Sequence, residues 1–265
     1  MDEQKNIAVI VPTLNEAGNI GELIPKIHAA LKSGYTIIVV DDNSKDDTQA
    51  IVKKLSATYP LKLIARPMKL GLASAVIDGM NSQRADAYIV MDADFSHPPE
   101  LLSVIRDRLN DCDLVVASRH VKGGGVFNWP LKRKIISRGA ITLARPLTRV
   151  RDVTSGYFAI RSVCLQNVTL MPLGYKVGLE CFVKADWKSY IEIPFMFKDR
   201  KYGYSKLGRG EFLAYIKQLR NLYAFSIKRH IRRSVAPAPG GRYLVTQGDA
   251  GRRHVSRHDV ERYIW

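Results

Sequence analysis

Five short runs of aliphatic and β-branched residues recur through the first half of the chain: Ile7–Pro12, Thr36–Asp41, Leu61–Arg66, Ala87–Asp92 and Asp113–Ser118. They scarcely alternate with polar residues, so each reads as a strand buried on both faces, as in a parallel sheet. Between them Gly18–Leu31, Asp46–Leu55, Gly71–Gln83 and Pro98–Leu109 carry helical spacing, mostly opened by Asn, Asp, Gly or Pro. Repeated βαβ units predict an α/β fold with a mostly parallel, doubly wound sheet. Ligands of such sheets bind outside the carboxyl ends of the strands, which directs attention to the residues just after each run.

Beyond Ser118 the pattern loosens. Gly123–Gly125 precede a basic helix over Leu131–Leu147, a short strand over Gly156–Ile160 and a final strand over Ile191–Phe197, read as antiparallel. An amphipathic helix follows over Gly210–Lys228, with Phe212, Ile216, Leu219, Tyr223 and Ile227 as its apolar stripe and the basic cluster Lys228, Arg229, Arg232 and Arg233 at its end. That stripe suits either a core helix or a helix lying in a membrane interface. Ser234–Trp265 is rich in Pro, Gly and Arg without periodicity, and reads as a mobile tail.

The net charge of +16, from 41 Lys and Arg against 25 Asp and Glu, calls for an anionic partner: a nucleotide, a lipid phosphate, a membrane surface or nucleic acid. No run of 18 apolar residues occurs, which excludes a transmembrane helix, and the polar start Met1–Asn6 predicts no signal peptide. Cys112, Cys164 and Cys181 have neither CxxC nor Cys/His spacing, so neither a disulfide framework nor a zinc site is expected.

The strand ends carry the chemistry. Met91–Pro99, MDADFSHPP, places Asp92 and Asp94 one residue apart at the end of an apolar run, a donor set suited to a hard cation shared with phosphates. An isolated Asp-x-Asp can equally end a strand and cap the next helix. Pro12–Asn19, PTLNEAGN, and Val39–Thr48, VVDDNSKDDT, add acids at two more strand ends, where a carboxylate can meet a nucleoside or simply form an Asx turn. No GxGxxG follows the first strand and no GxxxxGK[ST] occurs, so dinucleotide and P-loop sites lack their phosphate cradle. His97 fits a ligand or a turn residue, and Asp152 a wall of the site or the start of a turn.

Taken in order, PTLNE, VVDDNSKDDT, KLGLASAVIDGM, MDADFSHPPELL, ASRHVKGGGVFNWPLKRKIISRGA, DVTSGYFAIR and FKDRKYGYSKLG resemble the family 2 glycosyltransferases, and within them the dolichyl-phosphate mannose synthases. The resemblance spans roughly residues 7 to 215 and implies a GT-A type nucleotide-binding domain over residues 1–230, followed by a basic tail over residues 231–265. It implies that Pro12, Leu14, Glu16, Val40 and Asp42 border the guanosine of GDP-mannose. Asp92, Ala93 and Asp94 would hold the diphosphate, with Asp92 and Asp94 binding Mg²⁺ or Mn²⁺. Arg119, Arg200 and Lys206 would contact donor phosphates, and Arg119, Arg133 and Arg200 the acceptor phosphate, with Arg138 a weaker candidate. Asp94, Arg119 and Arg200 would carry catalysis. Two positions depart from the family pattern: Leu14 stands where many members have Tyr, and Ser96 where some have a metal-binding Gln.

The implied reaction moves mannose from GDP-mannose to a dolichyl or other polyprenyl phosphate with inversion. It would take place at the cytoplasmic face of a membrane, that of the endoplasmic reticulum in a eukaryote or the plasma membrane in a prokaryote. The enzyme would be peripheral there, and small membrane subunits could assist it. A UDP-glucose-dependent transferase on the same acceptor is the nearest alternative, and a metal-dependent nucleotidyltransferase a further one. A basic nucleic-acid-binding protein would explain the charge but not the acidic strand ends, which repel a polyanion.

Overall fold

The structure, a computed structural model, describes residues 6–127, 129–174, 176–198, 209–238, 242–245 and 253–255. It divides into two compact units, Met1–Leu219 and Arg220–Trp265.

The first unit begins as the sequence predicts: β1 (Ile7–Thr13), α1 (Ala17–Leu31), β2 (Tyr35–Asp41), α2 (Thr48–Leu55), β3 (Leu61–Ala65), α3 (Leu72–Asn81), β4 (Ala87–Val90), α4 (Leu101–Arg108) and β5 (Leu114–Ser118). α2, α3 and α4 start one to three residues inside the expected bounds because the polar and proline residues form the preceding turns, whereas α1 starts one residue before its expected bound, at Ala17. Pro98 and Pro99, for example, offer their carbonyls to Leu101 N and Leu102 N.

Alternate residues of the strands serve two cores. Ile7, Val9, Val11, Ile37, Val39, Ile89 and Val115 pack with Ile20, Leu23, Ile27, Leu102 and Ile105 on one face. Ala8, Ile10, Ile38, Val40, Val90 and Val116 pack with Val76, Met80, Cys181 and Phe182 on the other. Burial of each such aliphatic side chain contributes about 1.5–3 kcal/mol, which is why strands without polar alternation settle in the middle of a sandwich of helices. Cys112, Cys164 and Cys181 are free thiols, the last two buried.

The second half of the unit contains β6 (Gly125–Val126), α5 (Leu131–Ala144), a 3-10 turn at Arg145–Leu147, β7 (Phe158–Arg161), α6 (Val177–Lys184), β8 (Tyr190–Pro194) and β9 (Met196–Phe197). The main sheet has the order β3-β2-β1-β4-β7-β5-β8. Here the sequence reading needs correction. The final strand β8 runs parallel to β5, and β7, between β4 and β5, is the antiparallel member. Side-chain periodicity is the same in both directions, so it cannot report the sense of a strand. The sense is set by the edge to which the preceding connection returns the chain. The segment carrying α5 returns it to the rim at which β4 and β5 end, so β7 starts there, with Phe158 opposite both Val90 and Val116.

α7 (Arg209–Ser234) is longer than expected and crosses from the first unit into the second. The second unit also holds β10 (Val235–Ala238), β11 (Arg242–Val245) and β12 (Arg253–Val255), which pair as an antiparallel sheet in the segment read from sequence as an aperiodic tail. Backbone pairing in short antiparallel strands needs no apolar alternation, so the sequence carries no sign of it.

Candidate active site

Three of the strand ends on the carboxyl rim turn through left-handed residues: Asn15 (φ 59°) after β1, Asn43 (φ 65°) after β2 and Phe95 (φ 59°) after β4. Asn tolerates this conformation, whereas Phe does so at a cost, and such residues gather where a site over-determines its backbone. The loops after β1 and β2 are sewn together. Asn15 N donates to Ser44 Oγ (2.8 Å), Lys45 N to Asn15 Oδ1 (2.8 Å), Glu16 N to Thr48 Oγ1 (2.9 Å) and Thr13 Oγ1 to Asp41 Oδ2 (3.0 Å).

The structure places the expected nucleoside residues on this floor in different ways. Pro12, Leu14 and Glu16 are partly exposed, whereas the Val40 side chain is wholly inside the core, so only its backbone can meet a ligand. Asp42 is 5% exposed and accepts from Arg66 Nη1 (3.0 Å), Leu70 N (2.8 Å) and Gly71 N (2.9 Å). Its carboxylate therefore closes the loop after β3 over the rim.

The acidic turn after β4 is compact. Asp94 is buried and its Oδ1 accepts from Ser96 N (3.0 Å), while Asp92 keeps a third of its side chain exposed. Ser96 Oγ is buried with no hydrogen-bond partner among the described residues. Two carboxylates and an unsatisfied hydroxyl fit a hard divalent cation that completes its shell with water and phosphate oxygens. Among the described residues no cluster of three or more Asp, Glu, His or Cys offers an all-protein cage. His97, read from sequence as ligand or turn residue, is buried behind the turn and accepts from Asp92 N through Nδ1 (2.9 Å). Burial lowers its pKa, against the pull of Asp92 and Asp94, so the ring is neutral at pH 7.

Reversal of β7 brings the loop before it, Asp152–Gly156, to the same rim. Asp152 is completely buried and accepts three hydrogen bonds from Arg119: from N (2.9 Å), Nε (2.8 Å) and Nη2 (2.7 Å). Nη2 also reaches Thr154 Oγ1 (2.8 Å). Burial alone would raise the Asp152 pKa, but the hydrogen bonds and charge of Arg119 hold it below the ordinary value. This side-on grip through Nε and Nη2 leaves Nη1 on the opposite edge of the guanidinium. Glu192 of β8 secures the loop from below by accepting from Arg151 N (2.9 Å) and Asp152 N (3.0 Å). Gly124 lies where any side chain would collide, because an added Cβ would stand 2.4 Å from Ser118 O. The chain can thus fold back over Arg119 only with glycine there.

Arg119 lies beside two aromatic rings, its guanidinium carbon 5.7 Å from the Trp129 centroid and 5.6 Å from that of Phe197. Arg133, from the first turn of α5, stacks on Trp129 at 3.9 Å. Such cation–π contacts fix the two cations at a set spacing. Lys176 donates from Nζ to Thr154 O (3.1 Å), and its pKa is lowered to about 8 by burial and by the Arg119 charge, against the pull of Asp152 and Asp92.

His97 and Lys176 between them feel the charges of Asp92, Asp94, Arg119 and Arg133, which puts these groups in one neighbourhood, and Arg138 sits further along α5 with an exposed side chain. Arg200 and Lys206 lie outside the described residues. The sequence reading had no place for Trp129, Phe197, Thr154 or Lys176. Trp129 stands in the FNWP stretch just before the basic helix, and this was the one signal available for it.

Residues 8–168 match the description of glycosyl transferase family 2. The chain is 39% identical over 250 residues to a dolichol-phosphate mannosyltransferase from Pyrococcus furiosus, covering 91% of this chain and 70% of that protein. It is 37% identical over 232 residues to one from Mycosarcoma maydis, covering 82% and 79%. Its fold is similar to that of a mannosyltransferase from Pyrobaculum calidifontis in complex with GDP-Man and Mn²⁺, with TM-score 0.54 and 18% identity over 90% of this chain and 67% of that one. With a mostly parallel sheet, acids on its carboxyl rim and a family match across more than half its length, the chain belongs to glycosyl transferase family 2 and has a GT-A type fold.

Proposed function

We propose that this chain transfers mannose from GDP-mannose to the phosphate of a polyprenyl lipid at a membrane surface. The observation that carries the reading is the buried Arg119–Asp152 pair set on the rim that also holds Asp92 and Asp94, with Arg133 and Lys176 beside it. The relatives, named dolichol-phosphate mannosyltransferases, support the same sugar and acceptor.

In this reading the bond between mannose C1 and the donor phosphate oxygen breaks, and its electron pair leaves with GDP. An acceptor phosphate oxygen forms the new bond to C1 from the opposite side, inverting it. No strong base is needed, because a phosphate monoester with a second pKa of about 6 is mostly dianionic at neutral pH. Asp92 and Asp94 would hold a divalent cation, Mg²⁺ or Mn²⁺, whose positive charge would stabilise the departing diphosphate. Arg119, with Nε and Nη2 locked on Asp152, turns its other edge to a phosphate without reorganising, and Arg133 adds a second planar donor.

Lys176 gives this pocket a pH limit. Its lowered pKa means that the ammonium is present at neutral pH and lost as pH rises through about 8. The KM for polyprenyl phosphate is expected to rise above that pH in the wild type, and to be already raised and flat in Lys176→Met. A wild-type KM that stays constant to pH ~10, where a free lysine titrates, removes Lys176 from the acceptor pocket.

Among the described residues no helix is long and apolar enough to cross a membrane. α5 nevertheless presents Leu131 (72% exposed), Ile135 (60%), Ile136 and Leu143 to solvent among Lys134 and Arg138. The first turns of α7 add Phe212, Leu213 and Ile216, and Tyr215 is tied to α5 by its hydroxyl bond to Ala140 O (2.7 Å). The stripe expected on α7 is therefore split, with Leu219 buried and Phe212, Ile216 and Ile227 exposed. Exposed apolar side chains rimmed by cations suit the boundary of a lipid headgroup layer. The basic cluster Lys228, Arg229, Arg232 and Arg233 would add about 1 kcal/mol per charge at an anionic surface.

One preparation tests the whole reading. On anionic vesicles carrying polyprenyl phosphate, radiolabel is expected to move to lipid from GDP-mannose, not from UDP-glucose, and Leu131→Ser/Ile135→Ser is expected to weaken vesicle binding while sparing transfer in detergent. Transfer from UDP-glucose alone sinks the donor assignment, and wild-type vesicle binding by the double variant sinks the membrane face.

A further inference from the structure

We infer that His97 is the positioning residue of the acidic turn, fixing the Asp92 carboxylate through one imidazole tautomer. The inference rests on Asp92 being a metal ligand. Asp92 N–H donates to Nδ1 at 2.9 Å, so Nδ1 carries no proton and the ring must be the Nε2–H form. That Nε2 lies 3.8 Å from Asp92 Oδ2, too long for a hydrogen bond but close enough for its N–H dipole to favour a carboxylate there. One ring therefore holds both the main chain and the charge of the same residue.

The ring itself has no freedom to do otherwise. It stacks on Tyr157 (centroids 4.9 Å apart, planes 20°) and meets the edges of Phe195 (6.0 Å) and Phe197 (6.3 Å). The Tyr157 hydroxyl donates to Pro98 O (3.1 Å), pinning the peptide that follows His97. Gly156 completes the enclosure, since a Cβ there would touch His97 Cε1 (3.4 Å) and approach both Asp92 carboxylate oxygens (3.9 and 4.0 Å). Phe95 takes its left-handed conformation in the same turn, between the acids and the ring. Groups in a second layer that orient a metal ligand typically change metal affinity about 10- to 100-fold when removed.

A histidine that only filled the core would be replaceable by phenylalanine, which keeps the aromatic packing and loses the acceptor. Asparagine makes the opposite trade, because its amide oxygen stands near the Nδ1 position. Binding of Mn²⁺ in the presence of GDP, read from the EPR signal of free Mn²⁺, separates the two. We expect His97→Phe to weaken Mn²⁺ binding about 10- to 100-fold with little change in Tm, and His97→Asn to recover most of it. Long-range ¹H–¹⁵N spectra of the wild-type imidazole are expected to show the Nε2–H tautomer. Wild-type affinity in His97→Phe, or the Nδ1–H tautomer, overturns the inference whatever the asparagine variant does. A wild type that binds no Mn²⁺ with GDP overturns the metal reading of Asp92 together with it, an outcome distinct from failure of His97 alone.

Discussion

Asp94→Asn is expected to lower turnover about a thousandfold while leaving far-UV circular dichroism and Tm close to wild type, a loss of the size seen when one preorganised charge-stabilising group is removed. Asparagine suits this test better than alanine. Its amide oxygen can still accept from Ser96 N, the contact that Asp94 Oδ1 makes at 3.0 Å, so the turn keeps its shape and only the charge is lost. The buried position of Asp94 raises the stakes, because a carboxylate withdrawn from water acts strongly on whatever cation lies against it. Excess chelator should reproduce the effect in the wild type. Turnover within tenfold of wild type would remove Asp94 from the transfer machinery and the cation with it.

The second large effect is structural before it is catalytic. Asp152→Ala is expected to cost about 3–5 kcal/mol in chemical denaturation, because it leaves the Arg119 guanidinium buried without its counter-charge. Both side chains are nearly inaccessible, 7% and 0% exposed, so solvent cannot take over. The double variant Arg119→Met/Asp152→Ala should regain much of that stability, since two apolar groups leave nothing charged inside, yet it should remain unable to transfer sugar. Stability of Asp152→Ala within about 1 kcal/mol of wild type would show the pair to be dispensable to the fold. The pair also sets the acid limit. Because the folded pKa of Asp152 is depressed, its contribution is complete above the unfolded value of about 3.9 and is lost as pH falls below it. His97, neutral and buried with a lowered pKa, begins to oppose folding earlier, as pH falls through its ordinary value of 6.5. Acid unfolding should therefore start near pH 6 and steepen below pH 4.

Much of this site could be read along the chain. The runs from Ile7 to Ser118 gave five strands and their intervening helices because an apolar run of four to seven residues flanked by turn formers has few other stable fates. The rule that ligands bind beyond the carboxyl ends then pointed to Asp92 and Asp94 before any coordinate did. Arg119, which follows β5 directly, was named only through the family resemblance.

Tertiary structure decided the rest. That Asp152 faces Arg119 depends on β7 running backwards between β4 and β5, and direction leaves no trace in a two-residue periodicity. Val40 shows the converse: its strand was legible, but which of its groups can meet a ligand was fixed only when α3 covered its side chain. Trp129 and Lys176 entered the site through loops and a helix start whose spacing carries no pattern. The sequence by itself determined the strands β1 to β5 and the acids that follow β1, β2 and β4, because those choices follow from local apolarity and turn chemistry. Which charges meet was decided by chain direction and long-range packing, because burial makes Arg119 and Asp152 require one another across a sequence separation of 33 residues.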